Sequence, residues 1–143
     1  MIHIRLAIVQ DAPQLNELNA MFNGSSSSSI EVIEDSLKNN KQEIVYVATD
    51  ENRLVGFCGG QIMASMCYAF MFAEITELYV LKEYRGQGIA RQLFMTTEKV
   101  LREKGVKHIH VLTDRENYPA QKLYHSCGYS DTTEILLDKD IVD

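Results

Sequence analysis

The sequence predicts a single α/β domain built around a mixed β-sheet. Segments with the two-residue alternation of β-strands recur along the chain, separated by segments whose apolar residues repeat at helical spacing. The chain has 143 residues, of which 45% are hydrophobic, which is enough for one core of ordinary size. Residues 1–143 are therefore expected to form one domain.

The N-terminal part is predicted to contain one strand and two helices. Residues 2–8 alternate as a strand, and Asp11 follows at a position suited to capping a helix. The serine run 25–29 predicts a flexible loop. Ser28 and Glu31 have the spacing of a capping box, which predicts the start of the second helix.

The middle of the chain is predicted to form three strands and the longest helix. Residues 43–49 and 53–66 form a predicted strand pair around a polar turn, and residues 70–81 form the third strand. Apolar residues at helical spacing from Ile89 onward predict a helix that packs on the sheet and ends near Gly105.

The C-terminal part is predicted to complete the sheet. Residues 108–113 form an apolar, β-branched strand, and residues 119–126 form a short helix that proline opens near its first turn. Residues 129–138 are expected to form the closing strands. The three cysteines are odd in number and lack metal-ligand spacing, so they are expected to be reduced thiols in or near the core.

The turn between the third strand and the long helix has the composition of a phosphate-binding loop. Gly86 and Gly88 can adopt backbone torsions that other residues avoid, so main-chain N–H groups across residues 85–90 can converge on an anion. The following helix adds the positive end of its dipole. The chain has neither a Walker loop nor a complete dinucleotide fingerprint, since Arg91 follows where a third glycine would stand. We therefore expect a pyrophosphate ligand of another kind.

Two motifs resemble those of one enzyme family. Arg85-x-x-Gly88-x-Ala90, placed after a strand, resembles the acyl-CoA-binding signature of the GCN5-related N-acetyltransferases. The segment 117–129, which runs from Asn through Ala and Leu-Tyr to Gly-Tyr, resembles the second signature of that family. The first strand and helix cap, residues 2–13, are also similar. The likeness spans nearly the whole chain and says nothing about the acceptor.

The resemblance implies a fold and a cofactor. The fold is a mixed, mostly antiparallel sheet of about six to seven strands, flanked by about four helices. The acyl donor is acetyl-CoA, with no metal. The residues that match the cofactor-binding positions of the family are Leu78, Tyr79, Val80, Arg85, Gly86, Gln87, Gly88, Ile89, Ala90, Arg91, Asn117 and Tyr124.

Acetyl transfer to an amine requires a base and an acid. An alkylammonium has a pKa of about 10.4, so the acceptor must lose a proton before its nitrogen can attack. By resemblance, Tyr124 donates a proton to the departing sulfur. Glu74 falls at the position of the catalytic glutamate of the histone-modifying branch and is slightly preferred as the base. Glu77 is the alternative base or an acceptor-binding carboxylate. Residues three apart in a regular strand face opposite sides of the sheet, so Glu74 and Glu77 can line one cavity only if a bulge lies between them.

Charge suggests the kind of acceptor. Residues 82–107 contain seven basic and three acidic residues, whereas the rest of the chain contains seven basic and seventeen acidic. This distribution favours an anionic cofactor and a cationic acceptor, such as an aminoglycoside or a polyamine, unless the acidic residues only maintain solubility. A protein N-terminus or lysine as acceptor, and a non-catalytic acyl-CoA-binding regulator, are the alternative hypotheses.

The remaining expectations concern partners and location. No extended basic stripe predicts nucleic-acid binding, and no apolar run has the length of a membrane span. Met1 leads directly into the first strand without a targeting segment, so a soluble cytoplasmic protein is expected. His108 and His110 share a strand face but lack a third ligand, so no metal site is expected. The apolar cluster within residues 63–72 suits an acceptor pocket or a homodimer interface equally well.

Overall fold

The computed structural model describes residues 1–142. These residues form five strands and four α-helices, with a short 3₁₀ turn before the first helix and another before the third. The strands are β1 (Ile2–Leu6), β2 (Glu43–Asp50), β3 (Arg53–Met63), β4 (Met71–Val80) and β5 (Val106–Val111). The helices are α1 (Ala12–Asn23), α2 (Ile30–Asn39), α3 (Ile89–Glu103) and α4 (Tyr118–Ser126).

The chain divides into two compact units. The first unit, Met1–Leu112, contains β1 to β5 and α1 to α3. Its sheet has the order β1-β2-β3-β4-β5, in which the first four strands are antiparallel and β5 runs parallel to β4. The second unit begins at Thr113 and contains α4.

Two faces of the sheet in the first unit carry different helices. A side chain at Gly60 would meet Leu101 and Thr97 of α3, whereas one at the neighbouring Gly59 would meet Glu77. Because neighbouring residues of a strand point to opposite faces, α3 covers one face and Glu77 lies on the other, where α1 and α2 pack.

The long helix anchors the core. Leu93, Phe94 and Leu101 of α3 are fully buried, as the helical spacing of its apolar residues predicted. Each such side chain contributes about 1.5–3 kcal/mol by its burial. The helix ends at Glu103 with Lys104 as its C-cap, and Gly105 follows with a φ of 96°, so the predicted glycine stop is confirmed.

The prediction of six to seven strands is wrong for the described residues, whose sheet has five. The missing strands are those expected within residues 129–138, where no regular structure forms. The apolar run Ile135, Leu136 and Leu137 is 69–83% exposed. Alternating or β-branched residues favour a strand only when a neighbouring strand pairs with them and one face is buried, and this segment has neither.

Three local predictions also need correction. The N-cap of α2 is Ser29 rather than Ser28, and its hydroxyl accepts a hydrogen bond from the Val32 N–H. The Asp11 carboxylate does not cap α1; it accepts hydrogen bonds from Arg5 and from the Ile8 N–H instead. Cys67 is exposed rather than close to the core.

Candidate functional site

The loop between β4 and α3 has the backbone geometry of an anion-binding site. Gly86 and Gly88 have φ values of 80° and 82°, and a Cβ atom built at either position meets nothing within 4 Å. The first main-chain hydrogen bond of α3 runs from the Gln92 N–H to the Gly88 carbonyl, so the helix does not use the N–H groups of residues 89–91. The loop residues Gly86, Gln87 and Gly88 are exposed, so an anion as large as a diphosphate can approach their main chain.

Arg85 is bound to the strand that precedes the loop. Its Nε donates to the Val80 carbonyl at 2.9 Å, and its guanidinium lies 5.5 Å from the centre of the Tyr79 ring. Its main-chain N–H donates to the Lys82 carbonyl. Arg85 therefore fixes the start of the loop against β4. Since its own N–H is already bonded, the main-chain N–H groups that can bind an anion begin at residue 86.

The strands β4 and β5 stop pairing before β4 ends. The parallel pairing joins Met71–Ile75 to Val106–Val111, while β4 continues to Val80. Leu78, Tyr79 and Val80 pair with β3 on their other side. The last residues of β4 therefore have no strand partner on the edge that faces β5. The family resemblance requires such a free edge, because the pantetheine arm would bind there through main-chain hydrogen bonds.

A β-bulge brings the two candidate glutamates to the same face of the sheet. Gly59 pairs with Glu77 and the adjacent Gly60 pairs with Ile75, so Thr76 is the extra residue in β4. One extra residue reverses the alternation of the strand beyond it. Glu74 and Glu77 therefore lie on the same face, and the condition that the sequence left open for a shared site is met.

Only one of these two glutamates lines the cavity on this face. The cavity has a volume of about 220 Å³ and lies between α1, α2 and the sheet, within the first unit. Its acidic lining residues are Glu43 and Glu77. The remaining lining residues are neutral and mostly apolar: Leu15, Asn19, Ser28, Val32, Ile33, Ser36, Leu37, Val45, Phe57 and Gly59. Gly59 makes room for the Glu77 carboxylate, since a Cβ at this position would lie 2.6 Å from it.

The surroundings of Glu77 favour its protonated form. Burial raises the pKa of Glu77, and the negative charges of Glu43 and Glu74 raise it further, while a hydrogen bond from the Thr76 hydroxyl acts in the opposite direction. A carboxyl with a raised pKa is a better proton acceptor than an ordinary glutamate near neutral pH.

Glu43 was not identified from the sequence. Its Oε1 accepts a hydrogen bond from the Ser36 hydroxyl at 2.6 Å, and its Oε2 accepts one from Gln61 Nε2 at 3.1 Å. Both partners are neutral, so neither cancels the charge of the carboxylate. No local motif marks this residue, because the first position of β2 reaches the cavity only through the pairing of β2 with β3.

Glu74 has a different partner. It lies opposite His110 in the parallel pair of β4 and β5, and its Oε1 is 2.9 Å from His110 Nε2. The two side chains are 27% and 40% exposed. The sequence indicated His110 only as an incomplete metal ligand, and no cluster of three metal-ligating side chains occurs within residues 1–142.

The second unit holds the other two candidate residues, on or next to α4. The Asn117 side chain caps this helix by accepting a hydrogen bond from the Ala120 N–H at 3.2 Å, and Tyr118 and Pro119 form its first turn. Tyr124 is 8% exposed, and its carbonyl accepts hydrogen bonds from the N–H groups of Cys127 and Tyr129. Helix α4 thus fixes the backbone of Tyr124.

No helix among residues 1–142 combines the length and apolarity that crossing a bilayer requires.

Comparison with known proteins identifies the family. Residues 12–129 match the model of the acetyltransferase (GNAT) family. An N-acetyltransferase of Chlorobaculum tepidum, itself uncharacterised, is 28% identical over 138 residues, which cover 87% of this chain and 84% of that protein. A putative ribosomal protein bS18-alanine N-acetyltransferase of Bacillus subtilis is 30% identical over 82 residues, which cover 57% of this chain and 50% of that protein.

The fold is also found in a solved enzyme. An aminoglycoside acetyltransferase from an uncultured soil metagenomic sample, in complex with sisomicin, superposes with a TM-score of 0.85 at 24% identity, covering 99% of this chain and 97% of that one. GNAT acetyltransferases use acetyl-CoA as donor and act on small-molecule or protein amines. The chain therefore belongs to the GNAT family of acetyltransferases.

Proposed function

We propose that this enzyme transfers the acetyl group of acetyl-CoA to a primary amine of a small cation. The observation that carries the proposal is the cavity beneath α1 and α2, whose charged lining residues are the carboxylates Glu43 and Glu77. A cation entering this cavity is attracted by the charge of Glu43 and, when Glu77 is deprotonated, by the charge of Glu77. The apolar walls accept the carbon chain that carries the amine.

The cavity volume bears on the size of the acceptor. Pockets for drug-sized ligands have volumes of about 300–1,000 Å³, and this cavity has about 220 Å³. It suits one amine-bearing arm or a linear polyamine better than a complete aminoglycoside of three rings. The solved aminoglycoside acetyltransferase shares the fold and leaves the acceptor of this chain open.

The residues of the chain have distinct roles in this proposal. Glu77 accepts the proton that the ammonium must lose, because it lines the cavity and Glu74 does not. Acetyl-CoA supplies an activated acyl thioester for direct attack by the amine in a ternary complex. The exposed main-chain donors after Arg85 bind its diphosphate, and Leu78–Val80 bind the pantetheine arm. By family resemblance, Tyr124 donates the proton that the departing sulfur takes up, and Asn117 helps to organise the cofactor site.

A protein N-terminus is the second candidate acceptor. It is favoured by the 30% identity to the putative ribosomal protein acetyltransferase of Bacillus subtilis, although that alignment covers half of the relative. A peptide needs an extended groove for the residues that follow its amine. The cavity between α1, α2 and the sheet offers a short recess with acidic groups, which favours the small cation.

Thiol release from acetyl-CoA tests the proposal. The purified chain is incubated with acetyl-CoA alone and with putrescine, spermidine, an aminoglycoside or a peptide that begins with alanine. We expect release to depend on the acceptor and to be fastest with a linear polyamine. With the acceptor that supports the fastest release, Glu77→Gln should lower kcat by about 10²–10⁴-fold, the usual contribution of a positioned base. Release with the peptide but none of the small cations would overturn the proposal.

Thermal unfolding separates loss of the base from loss of the fold. Because the pKa of Glu77 is raised in the folded state, its contribution to stability is fully present below the unfolded pKa and is lost as pH rises through the folded pKa. Glu77→Gln should therefore unfold at the same or a higher temperature than wild type at neutral pH, with any gain disappearing in acid. An inactive variant with a much lower melting temperature would show only damage to the fold.

A further inference from the structure

The acetylation reaction leaves a proton that must reach water. The nitrogen of R–NH₃⁺ loses two protons when it becomes R–NH–CO–CH₃, the departing thiolate takes up one, and the other is released. Glu77 holds a proton of the ammonium after attack, and it is half-buried in a cavity. Before the next turnover this carboxyl must lose its proton, and the structure offers a series of acceptors on the same face.

Glu74 is the next carboxylate along that face. The bulge at Thr76 brings it to the side of Glu77, and the two charges are close enough for Glu74 to raise the pKa of Glu77. Glu74 does not line the cavity. It contacts His110 on the neighbouring strand instead, with 2.9 Å between Oε1 and Nε2.

The histidine end of this series is more exposed than Glu74. Glu77 is half-buried, the Glu74 side chain is 27% exposed, and the His110 side chain is 40% exposed. The ring of His108, which is exposed, lies 6.5 Å from the ring of His110. Imidazole is the side chain whose ordinary pKa allows it to accept and release protons near neutral pH.

The groups around this series are acidic, neutral or imidazole side chains. The titratable groups that face Glu74 and His110 from the sheet are Glu77, Glu43 and His108. Strand β3 contributes the neutral Gln61 on this face. The polar residues that α1, α2 and the loop between them place on the cavity are also neutral: Asn19, Ser28 and Ser36. A proton leaving Glu77 therefore meets acidic and imidazole acceptors before it reaches solvent.

We infer that Glu74 and His110 form a proton-exit pair, which takes the proton from Glu77 and releases it to water through His110. The inference rests on the proposed function, because it assigns Glu77 as the group that accepts the ammonium proton. His110 is a positioning and relay residue in this scheme and does not touch the acceptor. The pair accepts one proton and releases one proton in each turnover, so its charge is restored.

Buffer-dependent kinetics of two His110 variants test the pair. His110→Gln retains a side chain that can donate to Glu74 but cannot carry a proton, and His110→Ala leaves space for a soluble imidazole. We expect both variants to lose kcat by about tenfold in dilute buffer, at the low end of positioned proton transfer, with the acceptor KM unchanged. Imidazole added to the assay should restore kcat in His110→Ala. The matched control is His3→Gln on β1, an exposed histidine whose loss should change neither constant.

The possible outcomes separate this inference from the proposed function. Two results would overturn the proton-exit pair while leaving the acetyltransferase activity established. One is a wild-type kcat for both variants in dilute buffer. The other is a loss of activity that appears as a raised KM for the acceptor and that imidazole does not restore. A wild-type enzyme that releases no thiol with any amine would overturn both. A larger solvent deuterium isotope effect on kcat in His110→Gln than in wild type would further support the pair, because a slower proton exit then limits turnover.

Discussion

At the scale of single residues, the surroundings of Glu77 explain how a glutamate can act as a base towards an ammonium. Burial alone would raise its pKa, and two neighbouring carboxylates strengthen this effect. Glu43 is held in place by Ser36 and Gln61, so its charge has a fixed position beside the cavity. The basicity of Glu77 thus depends on a residue of another strand.

Neutralising Glu43 should shift the pH dependence of the reaction. Glu43→Gln removes one of the charges that raise the pKa of Glu77, so this pKa should fall. Since the base acts when it is deprotonated, the acid limb of the profile of kcat/KM against pH should move to lower pH. The control is Glu34→Gln on the exposed side of α2, which should leave the profile unchanged. An unmoved limb in Glu43→Gln would contradict the electrostatic role.

At the scale of secondary-structure elements, helix α3 has a glycine with positive φ at each end. Gly88 is the N-cap in the left-handed region, and Gly105 follows the C-terminal end with a φ of 96°. The first lies in the proposed diphosphate site and the second lies at the far end of the same helix. This symmetry provides a matched pair of substitutions.

Gly88→Ala and Gly105→Ala should separate backbone strain from cofactor binding. A Cβ has open space at Gly88 and lies 3.4 Å from the flexible Met71 Cε at Gly105, so strain dominates at both positions. Each substitution should cost about 1–2 kcal/mol of stability. Calorimetry should show coenzyme A binding about tenfold more weakly, or about 1.4 kcal/mol, only for Gly88→Ala. Equal weakening in both variants would remove the loop as the specific site.

The bulge of β4 shows how an element can decide chemistry. A regular strand would place Glu74 and Glu77 on opposite faces, whereas the extra residue Thr76 places both towards α1 and α2. The same shift leaves Gly59 beside the Glu77 carboxylate. The proton-exit pair exists only because this shift and the register of β5 coincide.

At the scale of the first unit as a whole, a partly buried ion pair connects β1 with the start of α1. Asp11 is 5% exposed and accepts hydrogen bonds from the Arg5 guanidinium at 2.8 and 2.9 Å and from the Ile8 N–H at 2.8 Å. Burial opposes ionisation, but these hydrogen bonds and the charge of Arg5 outweigh it, and the pKa of Asp11 is lowered. The pair therefore contributes to stability when Asp11 is ionised.

Asp11→Asn should destabilise the protein in a pH-dependent way. Loss of charged hydrogen bonds should lower the free energy of unfolding by about 1–3 kcal/mol at neutral pH. Because the folded pKa is lowered, the contribution is present above the unfolded pKa and is lost as pH falls through the folded pKa. Urea titrations at neutral and acidic pH should therefore show a difference that narrows in acid. The control is Asp50→Asn, because the Asp50 carboxylate contacts the exposed N-terminus; this substitution should lower the free energy of unfolding by less. A difference in unfolding free energy between Asp11→Asn and wild type that does not change with pH would contradict this account.

The sequence alone determined the features that depend on neighbouring residues. The order of the first five strands and the four helices, the glycine loop before α3, the stop at Gly105 and the two family signatures all follow from local patterns, and the structure and the family match agree with them. Torsional preference and hydrophobic periodicity act over a few residues, so they can be recognised without a fold.

Only the tertiary structure decided how the acidic face is assembled. Four features depend on which strands pair and in which register: the bulge at Thr76, the contribution of Glu43, the contact between Glu74 and His110, and the absence of strands within residues 129–142. A shift of one residue in register turns every following side chain to the other face, and no short segment encodes that choice. The chemistry of the face therefore follows from contacts between residues far apart in the chain.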